Sequence, residues 1–294
     1  MLKMSDKTTT VLKFLDNTPE INGALLPDQL PAGSSCLLHM TDTHFGAIPE
    51  DYFVPVNMDA SFVDTLALFK RMNWKADACL ATGDLVHEGI AEMYQVLASH
   101  FDELGIPTYG LPGNHDENDA MQAGFQSDFC STPKIVDLPH WRLVLIDSTM
   151  PRQSGGHISD DQFDLIHTAI EETEKHVLIA LHHNPISTKS VWLDRMTIDN
   201  GEQLMELARQ SYKVKAIVWG HVHQEFDASY EGVRLLATPS TCMQFTPNAT
   251  RFDVDELPPG FRLLALLPNG EIETQVVRAT FENPNAIAEL FENQ

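Results

Sequence analysis

The sequence predicts an α/β chain with two β-sheets facing each other and helices outside. Three observations predict it. Apolar runs of strand length alternate with segments of helical period as far as Trp219. Beyond His223 the pattern changes to strands joined by hairpin turns. Short polar motifs directly follow most of the apolar runs, where an α/β sheet presents its loops for chemistry.

Taken in order, Cys36–Met40 is an apolar run ending at Asp42-Thr43-His44. Phe62–Met72 reads as a helix, with Phe62, Leu66, Leu68 and Phe69 on or near one face. Ala78–Ala81 leads to Gly83-Asp84, and Met93–Leu104 is a second helix. Thr108–Leu111 delivers Gly113-Asn114-His115-Asp116, and Arg142–Asp147 is a strand without a motif. Ser159 is placed to cap a helix carrying Phe163, Ile166 and Ile170, with acids in its first turn. His176–Leu181 ends at His182-His183-Asn184-Pro185, and Lys215–Trp219 ends at Gly220-His221-Val222-His223. Tyr230-Glu231-Gly232-Val233 reads as a hairpin turn. Pro268-Asn269-Gly270 reads as another, between Leu263–Leu267 and Ile272–Val277.

Singly, these motifs are weak. Asp-x-His often marks a solvated turn, and Gly-Asp is ordinary turn chemistry. Together they assemble aspartates, an asparagine and histidines without cysteine, a set that suits two adjacent divalent metals better than structural zinc. In extended backbone, residues i and i+2 point the same way. Asp42 with His44, and His221 with His223, are therefore expected to converge on one metal cluster. His183 reads either as a residue orienting a ligand or as a buried histidine satisfied by backbone. The remaining histidines, His87 nearest the motifs among them, read as surface or core by default.

The set and its order resemble the calcineurin-like metallophosphoesterase superfamily. The resemblance implies a four-layer αββα sandwich of two mixed β-sheets flanked by helices. It implies Asp42, His44 and His223 on one metal, Asn114, His182 and His221 on the other, and Asp84 bridging them. It puts His115 beside them as proton donor and His44, Asn114, His115 and His223 at the substrate. Asp116, the second catalytic candidate, could orient the His115 imidazole or cap a turn. Val191-Trp192-Leu193-Asp194, Asn200-Gly201-Glu202 and the segment from His221 through Thr238-Pro239-Ser240-Thr241-Cys242 to Arg262 are similar to bacterial class III cyclic-nucleotide phosphodiesterases. The Asn184 position departs from that pattern. The implied reaction is hydrolysis of 3′,5′-cyclic AMP to 5′-AMP by a hydroxide generated at two metals, iron or manganese favoured and zinc or cobalt possible. Phe245 and Leu257-Pro258-Pro259-Gly260 could close over the substrate. The alternatives are a hydrolase of small phosphodiesters such as glycerophosphodiesters, and a scaffold without chemistry.

Composition bounds the rest. At 294 residues the expectation is one domain over 35–280, with an N-terminal extension of uncertain order over 1–34 and a tail over 281–294. Nineteen basic against 42 acidic residues leave a net charge of −23, a field that repels polyanions and argues against nucleic acid as partner. Four scattered cysteines fit reduced thiols acting as small core residues. No secretory pattern and no long apolar run appears, so the expected setting is the cytoplasm, away from membranes.

Overall fold

The computed structural model describes residues 11–47 and 56–292. The first ten residues of the N-terminal extension and the last two of the tail lie outside the described residues. The strands are β1 (Ser35–Met40), β2 (Ala78–Thr82), β3 (Thr108–Leu111), β4 (Cys130–Ser131), β5 (Ile135–Asp137), β6 (Trp141–Leu145), β7 (His176–Ala180) and β8 (Val214–Trp219). They continue as β9 (Phe226–Tyr230), β10 (Val233–Ala237), β11 (Gln244–Phe245), β12 (Val254–Asp255), β13 (Gly260–Leu266) and β14 (Ile272–Arg278). The α-helices are α1 (Met58–Met72), α2 (Ala91–Asp102), α3 (Asn118–Gly124), α4 (Asp160–Glu171), α5 (Gly201–Gln210) and α6 (Ala286–Glu292).

Among the described residues the strands form two six-stranded sheets, β14-β13-β1-β2-β3-β4 and β5-β6-β7-β8-β10-β9, and the short pair β11-β12. Both large sheets are mixed. β1, β2 and β3 run parallel, while β13 lies antiparallel to β1. β6, β7, β8 and β10 run parallel, with β5 and β9 antiparallel at the edges.

Alternation along each strand builds the layers. Leu37, Leu80, Leu143, Leu178, Val218 and Leu264 fill the space between the sheets. Leu38, Met40, Cys79 and Ala81 face the other way, onto Phe62 and Leu66 of α1 and Leu97 and Phe101 of α2. Val177, Ile179 and Ile217 pack on Ile166 of α4 and Leu204 and Ala208 of α5. The architecture is the expected one of two mixed sheets flanked by helices.

Polar residues also cross between the sheets. Buried Arg262 on β13 donates to Ala237 O (2.7 Å) and Phe226 O (3.0 Å) of the opposite sheet. His39 on β1 joins Thr82 Oγ1 (2.7 Å) to Thr238 Oγ1 (2.7 Å). Burial, helped by the Arg262 charge, pushes His39 down to about 3, so it crosses the core as a neutral ring.

Several details differ from the sequence reading. The first helix starts at Met58 because Asn57 caps it, accepting from Ala60 N at 2.8 Å. Ser159 does occupy the N-cap of α4, but its hydroxyl makes no capping bond. Residues 11–34 and the tail carry anchors that periodicity does not reveal. Leu25 is fully buried and its carbonyl accepts from Trp74 Nε1 at 2.8 Å, while Phe14 stacks on Phe281 at 5.3 Å. At the Tyr230–Val233 turn, Glu231 and Gly232 both have positive φ (47° and 89°), the geometry that favours tight hairpins. The four cysteines are free thiols, all buried.

Candidate metal centre

The five motifs leave the carboxyl ends of parallel neighbours, β1, β2 and β3 in one sheet and β7 and β8 in the other. The two groups of loops are laced together. Asp42 N and His44 N donate to Gly83 O (3.0 Å) and Asp84 O (2.9 Å). His221 N donates to the Asp42 carboxylate at 3.0 and 3.1 Å, tying the second sheet to the first.

The backbone here is not the extended chain that residue spacing suggests. Asp42, His44, Asp84, His221 and His223 have φ of 52°, 44°, 48°, 63° and 48°. Each non-glycine residue held there costs about 1–2 kcal/mol, and strain of this kind concentrates at functional sites. The pairs Asp42/His44 and His221/His223 do converge, but through left-handed turns. The glycines of the motifs follow from the same crowding. A Cβ at Gly83, itself at φ +86°, would lie 2.5 Å from His182 Nδ1 and 2.7 Å from Gly113 N. A Cβ at Gly113 would overlap Asp84 N and Oδ1.

Side chains meet in two linked groups. In the first, His223 Nε2 lies 3.2 Å from Asp42 Oδ1 and 3.3 Å from His44 Nε2. In the second, His182 Nε2 lies 3.2 Å from Asn114 Oδ1 and 3.3 Å from Asp84 Oδ2. The same Asp84 Oδ2 is 3.8 Å from His44 Nε2, so one carboxylate faces both groups. His221 packs against His182, ring centroids 5.0 Å apart, and its buried Nε2 has no hydrogen-bond partner among the described residues.

These atoms suit metal ions. Ligands held about 2.0–2.1 Å from one ion at tetrahedral or right angles sit about 2.8–3.4 Å from one another, close to the spacings found. His182 Nδ1–H donates to Thr82 O and His223 Nδ1–H to Met243 O, both at 2.9 Å. Those bonds commit one nitrogen of each ring and leave Nε2 for a cation. Burial pushes His221 down to about 3 and His44 well below its ordinary value, leaving both rings neutral. Burial also opposes charge on His182, but the facing Asp84 carboxylate overrides it and raises that ring to about 9. Burial would raise Asp84 and Asp42. Instead the histidines, His182 first for Asp84 and His223 for Asp42, hold both below the usual carboxylate range. Asp42/His44/His223, Asp42/Asp84/His182 and His182/His183/His221 each bring ligand atoms close enough to hold an ion.

Other motif residues fall around this centre. His115 lies edge-on to His44 with ring centroids 4.9 Å apart, and its backbone N donates to Asp84 Oδ1 at 2.9 Å. Asp116 makes no hydrogen bond to the imidazole among the described residues. Its carboxylate accepts from Gly113 N (2.8 Å), Leu85 N and Val86 N (3.2 Å each) and Tyr94 Oη (2.8 Å). Of the two roles open to it, the geometry is that of a loop clamp, because four donors already occupy its oxygens. Burial and the neighbouring Asp84 charge push it up to about 6. His183 is buried, bonded through Nδ1 to Ser148 Oγ (2.9 Å), and packs 4.7 Å from the His221 ring. His87 stands beside His115 at 5.0 Å.

A cavity of about 140 Å³ opens over the centre. Its lining joins His44, Asp84, Asn114, His115, His221 and His223 to Ser154 and the apolar Trp192, Leu193, Met196, Met243 and Phe245. Phe245 was a sequence candidate for this place. Trp192 lies in the Val191–Asp194 stretch that carries the resemblance, which gives it no place at the pocket, and nothing local marks Met196 or Ser154.

Over residues 37–225 the chain matches the calcineurin-like phosphoesterase family. The chain is a calcineurin-like phosphoesterase. This phosphoesterase is 38% identical over 253 residues to a protein of Vibrio vulnificus named 3′,5′-cyclic adenosine monophosphate phosphodiesterase, covering 85% of this chain and 92% of the relative. A Pseudomonas aeruginosa protein of the same name is 35% identical over 266 residues, 89% of this chain and 93% of that one. Among solved structures, the phosphoesterase superposes on a dimetal phosphatase from Danio rerio with a TM-score of 0.54 at 12% identity, over 84% of this chain and 99% of the other. That last likeness is one of fold.

Proposed function

We propose that this phosphoesterase is a dinuclear-metal phosphodiesterase that converts 3′,5′-cyclic AMP to 5′-AMP. Its support is the match, over more than nine-tenths of their length, to relatives named for that substrate. Asp42, His44 and His223 would hold one ion, Asn114, His182 and His221 the other, and Asp84 both. Iron or manganese suits this mixture of imidazole, carboxylate and amide, and zinc or cobalt is compatible with it. When bound, the ions neutralise phosphate charge and make a water nucleophilic near neutral pH.

The chain's own residues supply the rest. As the water oxygen bonds to phosphorus and the P–O3′ bond breaks, the departing ribose oxygen needs a proton. His115, on the cavity wall, delivers it from an imidazole nitrogen. Asp84 fixes the donor's loop by accepting from His115 N. His44, Asn114, His115 and His223 face the phosphate, and the apolar lining residues from Trp192 to Phe245 limit bulk water around it. Asp116 acts at one remove, clamping the Asp84 and Asn114 loops together.

The catalytic unit is residues 35–280. A net charge of −23 favours a small diester over a nucleic acid, since a small anion answers to local charge and a polyanion to the whole field. No helix among the described residues is long and apolar enough to cross a membrane, and a second messenger as substrate goes with a cytoplasmic setting.

The test is chromatographic separation of products from cyclic AMP incubated with manganese- or iron-loaded protein. The reading expects 5′-AMP, lost in Asn114→Ala and Asp84→Ala. Accumulation of 3′-AMP, or full turnover in either variant, would overturn it.

A further inference from the structure

The cavity lining has a metal-centre group and an apolar group, and two rings of the apolar group touch a further aromatic outside the lining. Phe245 stacks on the His223 ring, centroids 4.2 Å apart and planes 14° from parallel. Trp192 meets Phe245 edge-on at 5.0 Å, and Phe252 meets both, at 5.3 Å from Trp192 and 5.5 Å from Phe245. Phe252 is 44% exposed. An unbroken run of aromatic rings therefore leads from the metal centre to solvent.

The run is built in place. β11, which carries Phe245, pairs with β12, and Phe252 lies in the loop joining them. Thr246 N donates to Asp253 O (3.0 Å) across that loop, and Val191 N to Ala249 O (2.9 Å) fastens it to the segment bearing Trp192. T-shaped contacts between the three rings hold them in mutual register. An exposed phenylalanine so held presents a fixed apolar surface. The indole N–H of Trp192, whose residue lines the cavity, is buried and finds no acceptor among the described residues.

The cavity itself, at about 140 Å³, has room for a phosphate and part of what it carries. Sites for whole small molecules run from about 300 Å³ upward. What is attached to the phosphate must therefore extend beyond the cavity, and the contacting rings of Trp192, Phe245 and Phe252 run outward to the exposed Phe252. We propose that Trp192, Phe245 and Phe252 form a base subsite, which takes the heteroaromatic base of a nucleotide diester by stacking while its phosphate sits at the metal centre. This rests on the phosphodiesterase reading above and extends it from chemistry to substrate choice. Aromatic stacking tolerates any base because each has a π-face. The subsite therefore selects nucleotides over ringless diesters and discriminates weakly between adenine and guanine.

The test compares Phe252→Ala and Trp192→Phe with wild type in the metal-loaded enzyme, using cyclic AMP and the ringless diester glycerophosphoethanolamine. Phe252 is exposed, so its removal leaves the core intact. The expected result is a fall of about fivefold or more in the ratio of kcat/KM for cyclic AMP to that for the ringless diester, carried mainly by KM. Tryptophan fluorescence adds a reading independent of turnover. 5′-AMP should quench it, ribose 5-phosphate should not, and Trp192→Phe should abolish the response. Wild-type cyclic AMP turnover with unaltered ratios in both variants would overturn the subsite and leave the phosphodiesterase reading standing. If wild type cleaves the ringless diester and spares cyclic AMP, that reading falls. Quenching by 5′-AMP then still supports the subsite, and its absence overturns it.

Discussion

Replacing Tyr94 by phenylalanine isolates the clamp that holds two of the motif loops together. Tyr94 is fully buried on α2, so the ring's packing survives the change and two polar contacts are lost. Its hydroxyl donates to Asp116 Oδ1 at 2.8 Å and accepts from Glu117 N at 3.1 Å. Burial, then the Asp116 charge, holds the phenol far above its ordinary range, so it remains a donor at every working pH. A hydrogen bond to a charged group contributes about 1.5–3 kcal/mol and one between neutral groups about 0.5–1.5 kcal/mol. The expected cost is therefore about 2–4.5 kcal/mol, with no cavity term because the ring remains. At about 2–4 °C per kcal/mol for chains somewhat shorter than this one, Tm falls by about 4–18 °C. The same Asp116 carboxylate accepts from Gly113 N, Leu85 N and Val86 N, so loosening it loosens the loops of Asn114 and Asp84 together. Thermal scans with and without manganese read both effects. The variant should melt lower and should gain less from added metal. Wild-type Tm together with wild-type metal affinity would refute the clamp.

Other outcomes follow from the same geometry. His115→Ala should lower cyclic AMP turnover by about 10²–10⁴-fold. It should affect bis-p-nitrophenyl phosphate much less, because its leaving group departs without a proton; equal losses on both would remove His115 as donor. His182 is raised to about 9 before metal arrives, so it is protonated at neutral pH, and a ligating imidazole must give that proton up. Loading at about pH 7.5 in weak buffer should release about one proton per chain from this ring, fading as the starting pH passes about 9; constant release through that range would contradict the assignment. Gly83→Ala forces a side chain to within 2.5 Å of His182 Nδ1 at a left-handed φ, and elemental analysis should find bound metal lost; full metal content would show that the loop yields.

The strands that carry the motifs were legible because each is an apolar run stopped by polar residues. β1, β2, β3, β7 and β8 are buried on both faces, and such strands read as continuous hydrophobic segments. The short pieces were not legible. α3 and the pairs at β4, β5 and β11–β12 are held by neighbours rather than by any period of their own. At the site, sequence identified which residues assemble but misjudged how. The i, i+2 spacing suggested extended backbone, whereas Asp42, His44, His221 and His223 turn through positive φ, a strain that only the surrounding fold supports. Asp116 sits next to His115 in sequence, yet its oxygens belong to the amides of the Asp84 loop. Trp192, which lines the pocket, and Phe252, which lies outside it, come from loops 60 residues apart in number and meet through contact with each other and with Phe245. Pattern in the chain carries no trace of that encounter.

The most direct test is to titrate metal-free protein with manganese while following 5′-AMP formation from cyclic AMP. A two-metal phosphodiesterase built on a shared Asp84 predicts turnover that rises until two ions are bound per chain, and that Asp84→Ala never reaches. Turnover in the metal-free protein, or none with two ions bound, would contradict it.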